Sequence, residues 1–164
     1  MEITLFMYPA LNDYHHCVHD HKLYIWWKYV DEFPNMYHYV SALMAVLMGG
    51  NPKTLQCNHN SIICRLCESS SLESPAYVLF ACPTLEDTRG RTWSRLIQVM
   101  PNALVTSINN LDDKEKSRLI FTCYGGKYIK DWSDIYEKTV KFVFDMYNAR
   151  FLAYQTQNVF AMEA

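Results

Sequence analysis

Residues 131–147 read DWSDIYEKTVKFVFDMY, and their spacing decides the fold class. Trp132, Ile135, Tyr136, Val140, Val143, Phe144, Met146 and Tyr147 recur at i, i+3 and i+4, the period of an amphipathic helix. Asp131, Asp134 and Glu137 crowd its start, where acids complement the positive end of the helix dipole. A strand would need strict alternation, which is missing here.

Working upstream, the same logic predicts more helices. Residues 113–124 follow Asn109-Asn110 and stop at Gly125-Gly126. Thr84-Leu85-Glu86-Asp87 resembles a capping box with a shortened acid, and Leu85, Trp93, Leu96, Ile97 and Met100 follow at helical spacing up to Pro101. Gly90 weakens that helix by about 1 kcal/mol relative to alanine. Tyr37–Met48 is apolar nearly all round and ends at Gly49-Gly50, so it belongs in the core. Lys22–Val30 (KLYIWWKYV) is aromatic and apolar but too short for its period to choose between strand and helix; Pro34 ends it. Residues 51–83 are rich in turns. The expected fold is mainly α: a small helical domain over residues 38–153 around a Cys-rich, zinc-knuckle-like loop at 57–83. An aromatic and His-rich segment (1–37) precedes it and a tail (154–164) follows.

Of the 164 residues, half are apolar and a fifth are charged, enough to bury a core. No run approaches the roughly 20 apolar residues of a membrane span. Met1–Leu11 contains Glu2 and lacks a basic n-region, so the chain is expected to be intracellular, in nucleus or cytoplasm. The net charge of −2 divides into −3 over residues 1–51, +3 over 52–130 and −2 over 131–164. Proteins that depend on phosphate contacts usually carry more positive charge, so any nucleic-acid contact falls in the middle segment and is weak. No glycine-rich phosphate loop, G-x-S-x-G or HExxH is present, and the chain reads as non-enzymatic.

Four of the six cysteines (Cys57, Cys64, Cys67, Cys82) fall within residues 57–82, a metal-like crowding. Cys64-Arg65-Leu66-Cys67 is a C-x2-C knuckle whose short turn lets two thiolates converge on a tetrahedral ion, and Cys82 is a candidate third ligand. In C-x2-C…H-x4-C patterns the remaining ligand falls where this chain has Tyr77, whose neutral hydroxyl is a poor zinc donor. His59, or Cys57, can supply the fourth ligand instead. The plain alternative is that reduced cysteines pack as small apolar side chains.

The run Cys64-Arg-Leu-Cys67-(x9)-Tyr77-Val-Leu-Phe-Ala-Cys82-Pro83, followed by a helix with Arg89, resembles the zinc-binding tail of non-LTR (LINE-type) retrotransposon reverse transcriptases. That tail typically reads C-x-L-C, an acidic spacer, E-H-x-L-x-x-C-P, then a helix carrying an arginine. Leu43–Thr54, Leu119–Tyr124 and the closing helix with Arg150 look similar too, so the resemblance covers roughly residues 38–153. It implies that Cys64, Cys67 and Cys82 bind zinc, with Tyr77 where the family has histidine. It also implies a non-catalytic module that holds RNA or DNA for an upstream polymerase. No polymerase is expected here: Tyr29-Val30-Asp31-Glu32 is only superficially like the Y-x-D-D metal hairpin, and two-metal chemistry needs a further aspartate on a neighbouring strand.

Arg65, Arg89, Arg91 and Arg95 are the candidate phosphate contacts. At 100° per residue Arg91 and Arg95 share a helix face while Arg89 lies nearly opposite, and Trp93 is expected in the core beside Leu96 and Ile97. Tyr14–His21 holds four histidines and Cys17; it reads as a solvated tract before it reads as a metal site. The alternative to nucleic-acid binding is a structural protein, a relic or part of a larger assembly, with abundant aromatics suited to a protein partner.

Overall fold

The computed structural model describes residues 24–47, 63–67, 69–71, 73–122, 124 and 129–163. Among these the chain is helical, with no strand: α1 (Tyr24–Glu32), α2 (Tyr37–Leu47), α3 (Pro75–Phe80), α4 (Glu86–Ile97), α5 (Asn102–Asn109), α6 (Asp113–Phe121) and α7 (Ile129–Glu163). Short 3-10 turns at Pro34–Met36 and Pro83–Leu85 lead into α2 and α4.

The spine is α7, which packs against α2, α3 and α4, while α3 also packs on α6. Its buried stripe runs Ile135, Tyr136, Thr139, Val140, Phe142, Val143, Met146, Arg150 and Tyr154, with helical periodicity as read from the sequence, except that Phe142 is buried where Phe144 was expected and Tyr147 is part-buried. The backbone leaves helical geometry at Trp132, near the start of the element. Just before it, Tyr124 sits at φ 55, where its hydroxyl meets the Thr139 hydroxyl at 2.5 Å and its ring packs on Trp132.

Lys22–Val30 resolves in favour of helix over its described part. Trp26 and Tyr29 are one helical turn apart on α1 and pack their rings on Tyr136 at 5.5 and 5.7 Å. The Trp26 indole also donates to the Phe121 carbonyl at 2.8 Å. This places Tyr29–Glu32 on a helix with Tyr29 in the core, which rules out a metal-binding hairpin there. It also carries the core upstream of residue 38, where the helical domain was expected to begin. At the other end, Tyr154 is buried and α7 continues past residue 153, so the expected tail is helical through Glu163.

Other elements also depart from expectation, and α5 lies where none was read, between Pro101 and residue 113. The turn-rich stretch contains α3, set by Ser74, whose hydroxyl accepts from the Tyr77 N–H at 3.1 Å, and by Pro75 at the first helical position. The expected capping box at Thr84 does not form. Thr84 instead donates to the Leu66 carbonyl at 2.7 Å, tying the cysteine loop to the start of α4. A reciprocal capping box does occur at Asp112 and Glu115, opening α6.

Among the described residues, no helix is long and apolar enough to cross a membrane.

Candidate metal centre

Cys64 and Cys67 lie in the loop ahead of α3, and Cys82 lies between α3 and the turn that enters α4. The loop closes on itself through Cys64 N–H to Ser71 O at 2.9 Å. Cys82 is fixed twice: its N–H donates to the Tyr77 carbonyl at 2.8 Å, and its own carbonyl accepts from Arg89 Nη2 at 2.7 Å. Arg89 Nε also donates to the Leu79 carbonyl at 2.8 Å, and Nη1 pairs with Glu86.

These contacts correct one expectation. Arg89 is buried, and its guanidinium caps the carbonyl end of α3 and holds Cys82, so it is withdrawn as a phosphate contact. The helical wheel had separated it from Arg91 and Arg95, and the structure shows why: one face of α4 is core, the other is solvent. Arg65, Arg91 and Arg95 are exposed. Burial raises the Asp145 carboxyl above its usual range, while the charges of Arg95 and then Arg91 pull it back, which places both arginines beside α7. Trp93 packs on Phe80 and Phe142 at 5.3 Å from each, the core role expected for it.

The three sulfurs converge. All lie within 4.8 Å of one another, and Cys64 Sγ to Cys82 Sγ is 3.9 Å. Two thiolates on one tetrahedral zinc stand about 3.8 Å apart, from a metal–sulfur length of about 2.3 Å. The widest pair is therefore within about 1 Å of that spacing. Burial pushes the Cys64 thiol up to about 12; the Leu66 N–H opposes this, and the crowding by Cys82, Cys67 and Glu73 adds to it. Buried sulfurs that resist ionising together are relieved by a cation between them. Three soft donors in this arrangement can hold a metal ion, with zinc and copper(I) the best matched in softness.

Tyr77 faces this cluster: its hydroxyl is 2.9 Å from Cys67 Sγ and 2.6 Å from the Ser69 hydroxyl, which is itself 3.0 Å from the same sulfur. Burial works against ionisation of Cys67, but the hydrogen bonds from Ser69 and Tyr77 outweigh it and bring the thiol down to about 7. Tyr77 shifts upward, through burial and then its bond to Cys67.

Behind the cysteines, Glu73 forms an ion pair with Arg150 and accepts from the Tyr154 hydroxyl at 3.1 Å. That hydroxyl in turn accepts from the Arg65 N–H at 3.3 Å, and the Arg150 guanidinium stacks 4.7 Å above the Tyr154 ring. The loop is thereby bolted to the distal half of α7. Ser69, Glu73 and Tyr154 were not singled out from sequence. The cue available was a serine run flanked by two acids, Glu68 and Glu73, between two cysteine positions.

His59 and Cys57, the expected fourth ligands, and the His-rich stretch 15–21 lie outside the described residues. Comparison with protein-family models, with curated proteins and with solved structures finds no match to this chain.

Proposed function

We propose that this chain is a zinc-anchored, non-catalytic nucleic-acid-binding module, similar in kind to the tail of a retrotransposon reverse transcriptase, acting inside the cell. The observation that carries the reading is the convergence of Cys64, Cys67 and Cys82 within 4.8 Å, with Tyr77 turned toward the same cluster. Zinc is favoured over copper(I) because zinc bound by thiolates is redox-inert and supports small folded loops. His59 or Cys57 completes its coordination. Arg65 beside the cluster and Arg91 with Arg95 on α4 offer exposed cations to phosphates of RNA or DNA, without sequence readout.

The test is anisotropy of labelled single- and double-stranded oligonucleotides titrated with the zinc-loaded chain at about 50 mM salt, where phosphate-driven binding is strongest. The proposal expects binding that weakens with salt and falls in an Arg91→Ala/Arg95→Ala variant. No measurable binding there rejects nucleic-acid function while leaving the metal site intact.

One observation favours a second reading, in which the module docks a protein. Trp27 and Tyr37 are 42% and 58% exposed and their rings lie 6.5 Å apart, an aromatic pair of the kind enriched at interfaces. Self-association measured by light scattering, lost in Trp27→Ser, together with indifference to oligonucleotides, would select it.

A further inference from the structure

Tyr77 stands at the cluster, but its geometry is not that of a ligand. An oxygen and a sulfur bound to the same tetrahedral zinc are about 3.5 Å apart, from bond lengths near 2.0 and 2.3 Å. Tyr77 Oη lies 2.9 Å from Cys67 Sγ, inside that spacing and within hydrogen-bonding range. The proton count then constrains the arrangement. The Tyr77 and Ser69 hydroxyls carry one hydrogen each, and their 2.6 Å separation requires one of these between them. The other is within reach of sulfur from either hydroxyl, at 2.9 or 3.0 Å, beside the Ser71 side chain that also bonds to Tyr77 and the Ser69 backbone N–H that also bonds to Cys67. The Ser71 N–H, 3.4 Å from Ser69 Oγ, closes the chain from the loop backbone.

We infer that Tyr77 and Ser69 are positioning residues that deliver one shared hydroxyl proton as a hydrogen bond to the metal-bound sulfur of Cys67, leaving the fourth metal vertex to another group. This rests on the metal reading above and deepens it. A hydrogen bond into a thiolate stabilises its lone pairs, which weakens sulfur as a donor and as a nucleophile. Cys67 is the sulfur that needs such a partner, since it is part-exposed while Cys64 and Cys82 are buried. Because either hydroxyl reaches the sulfur, loss of one leaves the other to donate, and only the double variant removes the hydroxyl proton, leaving the Ser69 backbone N–H in place.

Cobalt(II) replaces zinc as the probe, in the full chain. The parent is expected to bind one equivalent with a thiolate-to-cobalt charge-transfer band. Tyr77→Phe and Ser69→Ala each keep the stoichiometry and shift the band little. Tyr77→Phe/Ser69→Ala keeps the stoichiometry, moves the band to longer wavelength, and alkylates Cys67 faster by about threefold to tenfold, the scale of one charge-assisted hydrogen bond. Two results overturn the inference: loss of cobalt in Tyr77→Phe, which makes the phenol a ligand, or a double variant with unmoved band and unmoved alkylation rate. Should the double variant fail to fold, a crystal structure of the cobalt-loaded parent decides the same question: Tyr77 Oη at hydrogen-bond distance from Cys67 Sγ and away from the metal supports the inference, and Oη about 2.0 Å from the metal overturns it. A parent that binds no cobalt overturns the metal reading itself and is distinct from either of these.

Discussion

The molecule is held together in two different ways at its two ends. Where α1 meets the start of α7, Trp26, Tyr29 and Tyr136 interlock almost wholly out of solvent, with one indole hydrogen bond. Where the cysteine loop meets the distal half of α7, apolar packing gives way to sulfurs, hydroxyls and a part-buried ion pair. Burial of aromatic surface is indifferent to pH, metal and redox state, whereas crowded thiols and a buried guanidinium stay stable only when each finds its partner. One end is therefore a permanent core and the other a conditional one.

The largest way to break the contrast is at the permanent core. Trp26→Ala is expected to cost about 3–5 kcal/mol and to lower the midpoint of urea unfolding with or without metal. At the conditional end, Arg150→Met leaves the part-buried Glu73 carboxylate without its cation, a loss of up to about 3 kcal/mol. Glu73→Gln added to it should recover part of that loss in the same titration. Arg150 Nε and Nη1 are already buried without partners, so the recovery is expected to be substantial.

Acid should act on the conditional end through its metal. Without metal, Cys64 at about 12 stays protonated through the neutral range, so metal binding always displaces its proton. Cys67, at about 7, is largely thiolate above neutrality and must also shed a proton below it. Metal affinity therefore falls with falling pH, and its slope steepens by one proton, about tenfold per pH unit, on passing below pH 7. Competition with a chelator across pH 6 to 8 measures this; a slope that does not change on passing pH 7 would contradict the Cys67 thiolate assignment. The smallest effect has the opposite sign. Gly90 is exposed on α4 with nothing within 4 Å of an added Cβ, so Gly90→Ala should stabilise by about 0.5–1 kcal/mol.

The two ends were also unequally legible in sequence. The α7 stripe and the core place of α2 follow from periodicity, because burial there is repetitive and local. The C-x2-C knuckle named Cys64 and Cys67, the cysteine crowding and the resemblance added Cys82, and folding brings the three together. What escaped was set by contacts made across the fold. Arg89 looked like a surface cation because nothing local shows that it caps α3. Thr84 looked like a helix cap because its tie to Leu66 spans 18 residues. Glu73 and Arg150 meet across 77 residues, and no periodicity carries that information.

The central claim is that three sulfurs share one cation. Elemental analysis of the purified chain, with Cys64→Ser and Cys82→Ser beside it, tests this most directly. The account predicts about one zinc per chain, lost in each variant, with the parent thiols slow toward a disulfide reagent until a chelator is added. A metal-free parent whose Cys67 reacts at once, with or without chelator, would contradict it.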